Sequence, residues 1–164
     1  MEFSALAAHM RQLIDTLGPE LGRHDEAWWD TPYAPGKWQR RQLAGHLIDS
    51  ASNNHQRFVR SSLASAAFTG PAYDQEGCVR VERFDTLPIP VISGLLLNYN
   101  RLIAHLFANF PEDKLATLCH IGDYPAMTVE TVAISYVAHL EHHLRQLAGE
   151  AKLPYSVLPW PFPE

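Results

Sequence analysis

Four long stretches of the chain place apolar residues at the three- and four-residue spacing of an α-helix. This pattern constrains the fold more than any other feature. The predicted helices span residues 3–17, about 38–63, about 88–110 and about 127–148. Gly18-Pro19 and Pro111 are expected to end the first and third helices, because proline cannot continue a helix. No stretch predicts a convincing strand, so the sequence predicts an all-α four-helix bundle.

The segments between the predicted helices are interpreted as connections. Residues 18–37 are broken by proline, and their tryptophans are expected to pack at one end of the bundle. Residues 64–87 contain glycine and proline and predict a loop or a short extended excursion. Loops of this length in compact domains are often functional. This makes three of its residues candidates for a site: Tyr73, Asp74 and Gln75.

The whole chain is expected to form one domain, since its 164 residues are 46% hydrophobic and 19% charged. A proline-rich tail over about 152–164 is not expected to be helical. A net charge of −5 without a basic run argues against nucleic acid or an anionic membrane as a partner. The absence of a membrane-spanning window or a signal pattern leaves the cytoplasm as the expected location.

Cys78 and Cys119 lie far apart in the sequence and form neither a CxxC motif nor a disulfide framework. Cysteine-based zinc binding and redox chemistry are therefore not expected. The nine histidines carry more information, because several fall at positions that border an apolar helix face.

His139 and His143 belong to the last predicted helix and, four residues apart, project from the same face. His139 lies at the edge of the apolar arc of this helix and His143 lies inside it, whereas His142 falls on the polar side. A buried imidazole is costly unless its nitrogens find partners. A shared metal ion would be one such partner, and ordinary hydrogen bonds in the core would be the other. For this pair alone, the two readings remain open.

The second predicted helix repeats the pattern, since His46 adjoins its apolar face and is the natural third ligand. A polar line that includes Asn53 and Arg57 borders the same face. Asp49, one turn after His46, could orient a histidine by accepting its second N–H. Simple exposure to solvent is the favoured alternative for Asp49.

Comparison with known histidine motifs indicates which kind of metal site the chain could form. A zincin motif requires glutamate at position 140, where this chain has Leu140. Glu141 lies about 200° around the helix from His139 and is expected on the polar side, away from a metal. Inward Glu-x-x-His pairs of the di-iron type are also missing. Three neutral imidazoles would suit zinc or nickel and would leave coordination positions open for water or substrate.

Several motifs together carry a family resemblance: Ala34-Pro35-Gly36-Lys37-Trp38, Gly45-His46-Leu47-Ile48-Asp49-Ser50-Ala51, Asn53-Asn54, Arg57-Phe58 and His139-Leu140-Glu141-His142-His143-Leu144-Arg145-Gln146. In these the chain resembles the DinB-like superfamily, and within it the YfiT-type branch of candidate metal-dependent hydrolases. Tyr73-Asp74-Gln75 and Tyr99-Asn100-Arg101 extend the similarity over about residues 28–150.

The resemblance implies an up-down-down-up four-helix bundle, frequent homodimers and a divalent metal ion held by three histidines. Carried over by position, the implied ligands are His46, His139 and His143, the same three that the helical angles select. Related branches include S-transferases and isomerases that use low-molecular-weight thiols.

We therefore expect a metal-dependent enzyme, either a hydrolase or a thiol-dependent S-transferase, acting on a small molecule. The metal would activate water or a thiol by lowering its pKa. Asn53, Arg57 and Arg101 are candidates for orienting an anionic group, and a polar structural role is the alternative for each. No separate general base is evident. The rival interpretation is a non-catalytic dimer with a stress-associated or interaction role, in which the metal only stabilises the bundle.

Overall fold

Four long helices lie side by side in the structure, a computed structural model that describes residues 2–148. They are α1 (Phe3–Leu21), α3 (Arg40–Leu63), α5 (Ile89–Ala108) and α6 (Val129–Ala148). Two shorter helices, α2 (Glu26–Asp30) and α4 (Gln75–Glu82), lie in the connections. The predicted all-α bundle is confirmed. The predicted proline-rich tail lies outside the described residues.

The two middle helices of the bundle, α3 and α5, run in the same direction. His55 contacts Tyr99, and three residues further along α3 Phe58 contacts Phe107, with ring centroids 5.5 and 4.8 Å apart. Because both contacts advance together along the two helices, α3 and α5 are parallel. The long connection over residues 64–88 carries the chain back to the end where α3 began.

The outer helices run the opposite way. On α1, Phe3 packs on Phe107 with ring centroids 5.1 Å apart, and Asp15 lies 3.6 Å from Arg101. The residue numbers of the contacts therefore increase along α1 as they decrease along α5, so these two helices are antiparallel. Contacts between α6 and α3 show the same reversal, so the bundle has the up-down-down-up order that the resemblance implied.

The core lies between the four long helices and is made of side chains from all of them. Its fully buried members include Leu6, Met10, Leu13, Leu43, Leu47, Phe58, Ile92, Leu96, Phe107 and Trp29. Burying one such side chain contributes about 1.5–3 kcal/mol. Within residues 2–148, no helix has the length and apolar character needed to cross a membrane.

Helix α1 continues beyond the end expected from its sequence. Pro19 lies inside the helix, which ends at Leu21, so the prediction that Gly18-Pro19 ends it is wrong. Proline removes one backbone hydrogen bond, but Leu17 and Leu21 on either side of it are both buried. The packing of these leucines stabilises the last turn and offsets the loss of that hydrogen bond.

Three short strands form a sheet that the sequence did not predict. Strand β1 (Ala67–Gly70) pairs in parallel with β2 (Leu118–Ile121), which pairs antiparallel with β3 (Met127–Thr128). These strands lie in the segments interpreted as connections and at the predicted start of the last helix. Strands of two to four residues are too short to show a clear alternating pattern. The sheet leads the chain into α6, since β3 ends where that helix begins.

Candidate metal centre

Three histidines from two helices converge inside the bundle. His46 lies on α3, and His139 and His143 lie one turn apart on α6. One ring nitrogen from each of them lies within 4.8 Å of the others. The Nε2 atoms of His46 and His139 are 3.1 Å apart. The structure thus brings together the three histidines that the sequence singled out.

Helix packing explains why these side chains meet. The antiparallel contact of α3 with α6 sets the ring of His46 5.0 Å from each of the other two rings, centroid to centroid. His46 is only 1% exposed, and the ring of Trp38 covers it at 5.4 Å. Gly45 beside it lets the ring of Phe84 approach the backbone of α3 closely. The cluster is therefore held on two helices, with His46 buried and with His139 and His143 partly exposed towards a cavity.

Gln146 orients one of the three imidazoles. Its Oε1 atom lies 2.7 Å from Nδ1 of His143, and its Nε2 atom lies 2.9 Å from Nε2 of His142. An amide oxygen only accepts hydrogen bonds, so Nδ1 of His143 carries the proton and donates it. The lone pair of His143 is then on Nε2, the tautomer needed for a ligand that coordinates through that atom. In the sequence, Gln146 is marked only by its three-residue spacing from His143, which does not by itself indicate this role.

Burial keeps the clustered histidines neutral. It lowers the pKa of His46 to about 4, with a further lowering from His143. Burial likewise lowers the pKa of His143 to about 4, although its bond to Gln146 opposes the shift. The pKa of His139 falls well below its usual value, chiefly by burial and then through His143 and His46. At neutral pH all three rings have lone pairs to offer, which is the form that binds metals.

The geometry and the donor set fit a divalent metal ion. A tetrahedral ion with bonds of about 2.0–2.1 Å to imidazole places its ligand nitrogens about 3.3 Å apart. The 3.1 Å between the Nε2 atoms of His46 and His139 is close to that spacing. Within residues 2–148, no carboxylate or thiol joins the three histidines as a further ligand. An ion held here would keep a position open towards solvent or substrate.

Asp49 does not orient His46. Asp49 is 8% exposed, and neither its Oδ2 atom nor Nδ1 of His46 has a hydrogen-bond partner among the described residues. Burial and then the nearby charge of Glu82 on α4 raise the pKa of its carboxyl to about 6. Within residues 2–148, the structure thus shows no hydrogen bond for the candidate orienting role of Asp49 towards His46, and an exposure of 8% does not match the favoured alternative of a solvated side chain.

The candidates for orienting an anionic group separate into two sets. Arg57 lines a cavity beside the histidines. Asn53 donates to the backbone oxygen of Asp49, 3.0 Å away, and is not part of the cavity wall. Arg101 is half exposed on α5, where its guanidinium lies 3.6 Å from Asp15 of α1. The structure thus brings Arg57 to the site and leaves Asn53 and Arg101 outside it.

The loop candidates separate in the same way. Tyr73 and Gln75 line the cavity. The carboxylate of Asp74 instead accepts a hydrogen bond from the backbone N–H of Gly77, 2.9 Å away, and caps α4. This bond satisfies one of the free N–H groups at the start of the helix. Asp74 therefore positions Tyr73 and Gln75 without reaching the cavity.

Glu141 faces away from the cluster, as its helical angle indicated, but it does not face solvent. It is 1% exposed, and its Oε2 atom lies 2.8 Å from Nε2 of His9 on α1. Its Oε1 atom accepts a hydrogen bond of 2.7 Å from Arg145. The side of α6 that was interpreted as polar is thus packed against α1 near Glu141. Through its bond to His9, Glu141 joins the two helices.

A cavity of about 370 Å³ opens beside the cluster and reaches His139 and His143. Its polar wall includes Ser50, Asn54, Arg57, Tyr73, Gln75, Tyr124, Ser135, Tyr136 and His142, and its apolar wall includes Ala72, Ile121, Met127 and Val132. The volume is in the range of pockets that bind small molecules. Tyr124 belongs to a predicted connection and Met127 to the first position of a predicted helix, and neither position was marked as a site residue in the sequence.

A four-helix bundle with three histidines converging on an internal cavity defines the class of protein: a helical bundle with a candidate metal centre. Residues 2–147 match the model of the DinB superfamily. The chain therefore belongs to that family, as its motifs indicated.

Curated relatives agree with this assignment. A Bacillus pumilus protein named as a candidate metal-dependent hydrolase is 31% identical over 125 residues, covering 74% of this chain and 69% of its own. YfiT of Bacillus subtilis, named in the same way, is 28% identical over 119 residues, covering 72% and 66%. A solved structure of that YfiT, described as having an unusual four-helix bundle topology, superposes with a TM-score of 0.77. At 22% identity over 88% of this chain and 83% of the other, this match shows the shared fold.

Proposed function

We propose that this protein is a metal-dependent enzyme, a hydrolase or a thiol-dependent S-transferase acting on a small molecule. One observation carries the proposal: three neutral imidazoles converge at the wall of a cavity large enough for a substrate. The relatives named as candidate metal-dependent hydrolases support the same chemistry.

His46, His139 and His143 would hold the ion, and their nitrogen donors favour zinc or nickel. A divalent ion bound there would supply Lewis acidity and lower the pKa of a water molecule or a thiol. Because three neutral ligands bring no negative charge, they leave the full charge of the ion to act on that group. Gln146 would keep Nδ1 of His143 protonated and its ring in place.

The cavity wall would bind and orient the substrate. It combines apolar side chains with hydroxyl and amide groups from α3, α6 and the connections. The described lining contains no carboxylate, so no Asp or Glu is placed there as a general base. A half-enclosed wall of this kind reduces contact with bulk water, which strengthens the electrostatic effect of a fixed charge in it.

The cavity also separates this proposal from the alternative of a non-catalytic dimer with a structural metal. Structural sites are usually closed by a fourth protein ligand, whereas catalytic sites keep an open position. Here the described residues provide three ligands, and two of them, His139 and His143, line the cavity. This arrangement favours catalysis. The dimer itself is proposed from the family resemblance, and sizing in solution tests it: a monomer would refute it.

Two histidine variants provide the test. His139→Ala removes a proposed ligand, whereas His105→Ala removes an exposed imidazole of α5 that belongs neither to the cluster nor to the cavity wall. Each zinc-loaded protein is assayed with p-nitrophenyl acetate, and with cysteine plus 1-chloro-2,4-dinitrobenzene. We expect metal-dependent turnover of one probe by wild type and His105→Ala, with at least a tenfold loss in His139→Ala. Equal rates in all three proteins would refute the assignment.

A further inference from the structure

Arg57 places a positive charge in the wall of the cavity. Its guanidinium donates to Oδ1 of Asn54 at 3.2 Å and to the backbone oxygen of Pro71 at 3.1 Å. It also lies 5.8 Å from the centre of the Tyr73 ring. These contacts come from α3 itself and from the connection before α4, and together they hold the guanidinium in one place. All of the acceptors are neutral, so they leave its charge uncompensated.

In the part of the chain that the structure describes, no carboxylate pairs with this charge. Within residues 2–148, the ion pairs join other arginines to acids, and none includes Arg57. The described lining of the cavity contains no aspartate or glutamate either. Burial lowers the pKa of Arg57, but a guanidinium stays protonated in proteins. A half-buried, unpaired cation is unfavourable on its own, and an anion bound in the cavity would relieve that cost.

The cavity extends along α3 from the histidines to Arg57. Ser50 and Asn54 lie on α3 between His46 and Arg57 and belong to its wall. The backbone of Arg57 is about 16 Å along the helix axis from that of His46. Its side chain bends back by about one turn to reach Asn54. The guanidinium and the histidine cluster are therefore separated by about 11 Å along the axis, the length of an extended small molecule.

We propose that the cavity binds a small molecule bearing one carboxylate, which pairs with Arg57 while the reacting group lies at the histidine cluster. A single guanidinium matches a carboxylate in charge and in the geometry of its two oxygens. A phosphate dianion would favour a second guanidinium or ammonium group, and the described lining contains no Arg or Lys besides Arg57. The apolar side chains of Met127, Val132 and Ile121 would pack on the body of the ligand. The position of the reacting group rests on the proposed function, whereas the carboxylate site does not.

Binding to metal-free protein tests the carboxylate site without any assumption about catalysis. The probes are 4-phenylbutyrate and its neutral amide, which share an apolar body and differ in charge. Isothermal titration measures both on wild type, Arg57→Met, Arg57→Gln and the control Arg101→Met. The glutamine variant retains an amide that can donate near Asn54 and Pro71, and thermal melts establish that each variant is folded. We expect wild type and Arg101→Met to prefer the carboxylate at least about tenfold, and both Arg57 variants to lose that preference.

Equal binding of the acid and the amide by wild type would overturn the proposal, as would a preference that persists in either folded Arg57 variant. Stronger Arg57-dependent binding of 3-phenylpropylphosphonate than of 4-phenylbutyrate would overturn the choice of a carboxylate. Metal analysis of the same preparations keeps the two claims apart. A carboxylate preference in protein that cannot take up metal would refute the proposed function and leave the anion site standing.

Discussion

The Nε2 atoms of His46 and His139 lie 3.1 Å apart, although the two residues are separated by 93 positions in the sequence. Only one of the two nitrogens can donate a hydrogen to the other, so the metal-free pair uses one lone pair at most. His143 brings a third ring to within 5.0 Å of His46. One ring nitrogen from each of the three imidazoles lies within 4.8 Å of the others, with His46 buried and the other two partly exposed. A shared cation would use all three lone pairs at once.

Close packing beside the cluster predicts the effect of enlarging Gly45. A Cβ atom at this position would lie 2.2 Å from ring atoms of Phe84, which is itself 3% exposed. Gly45→Ala is therefore expected to lower the free energy of unfolding by about 1–3 kcal/mol through overpacking. Denaturant unfolding measures the change.

Gly94 provides the matched control, because it is also inside a helix but has open space around its Cβ position. Gly94→Ala should raise the free energy of unfolding by up to about 1 kcal/mol through helix propensity. If both substitutions shift stability in the same direction, the close approach of Phe84 to α3 is not a constraint in solution.

The buried carboxylate of Glu141 joins α6 to α1 through His9 and to Arg145 on its own helix. Glu141→Gln removes the negative charge that faces Arg145 and His9. We expect a loss of about 2–4 kcal/mol in the free energy of unfolding, since breaking a buried pair is costly. The exposed Glu112→Gln should change it by less than about 0.5 kcal/mol. Equal, small effects in chemical denaturation would contradict the buried role of Glu141.

Asp49 predicts a pH dependence of stability. Burial and Glu82 raise its pKa to about 6 in the folded protein from the usual 3.8. Between these values the folded state binds more protons than the unfolded state, so the free energy of unfolding falls as pH rises from about 4 to 6. Above pH 6 the loss is complete and stays constant.

Asp49→Asn should remove that loss in metal-free protein. At pH 7.5 we expect the variant to be about 1–3 kcal/mol more stable than wild type, and at pH 4 close to it. The exposed Asp123→Asn is the control and should follow wild type at both values. Guanidinium chloride titrations at the two values measure the difference, and a stability gain that is independent of pH would argue against the raised pKa.

Metal removal should lower thermal stability, because an ion that binds only the folded state stabilises it by mass action. At free metal about 100-fold above its dissociation constant the gain is about 3 kcal/mol, or roughly 6–12 °C for a chain of this size. Calorimetry with and without a chelator measures the shift. His139→Ala should show no response, and a wild-type transition that is unchanged by chelation would exclude metal binding that is coupled to the fold.

The sequence predicted those features that depend on long periodic patterns. Four helices and the inward histidines follow from the 3.6-residue repeat, because each pattern is repeated over several turns. The strands β1 to β3 were not predicted, because two to four residues are too few to show an alternating hydrophobic pattern. Pro19 misled the prediction of where α1 ends, since packing of Leu21 outweighs a local helix breaker.

Other features depend on which helix faces which, and a helical angle does not provide that information. Glu141 was assigned correctly to the side away from the histidines, yet that side packs on α1 and is buried. Arg57 and Arg101 were equivalent candidates in the sequence. Only the packing of the helices distinguishes them. Arg57 on α3 lines the cavity, whereas Arg101 on α5 contacts Asp15 of α1.

Metal analysis of protein made without a histidine tag tests the central claim most directly. Wild type and His46→Ala are compared after reconstitution with zinc or nickel and removal of the excess. The account predicts about one ion per chain in wild type and none in the variant, because three imidazoles are needed to hold it. No ion in wild type, or equal content in both proteins, would contradict it and would reduce the three histidines to buried polar residues of the bundle.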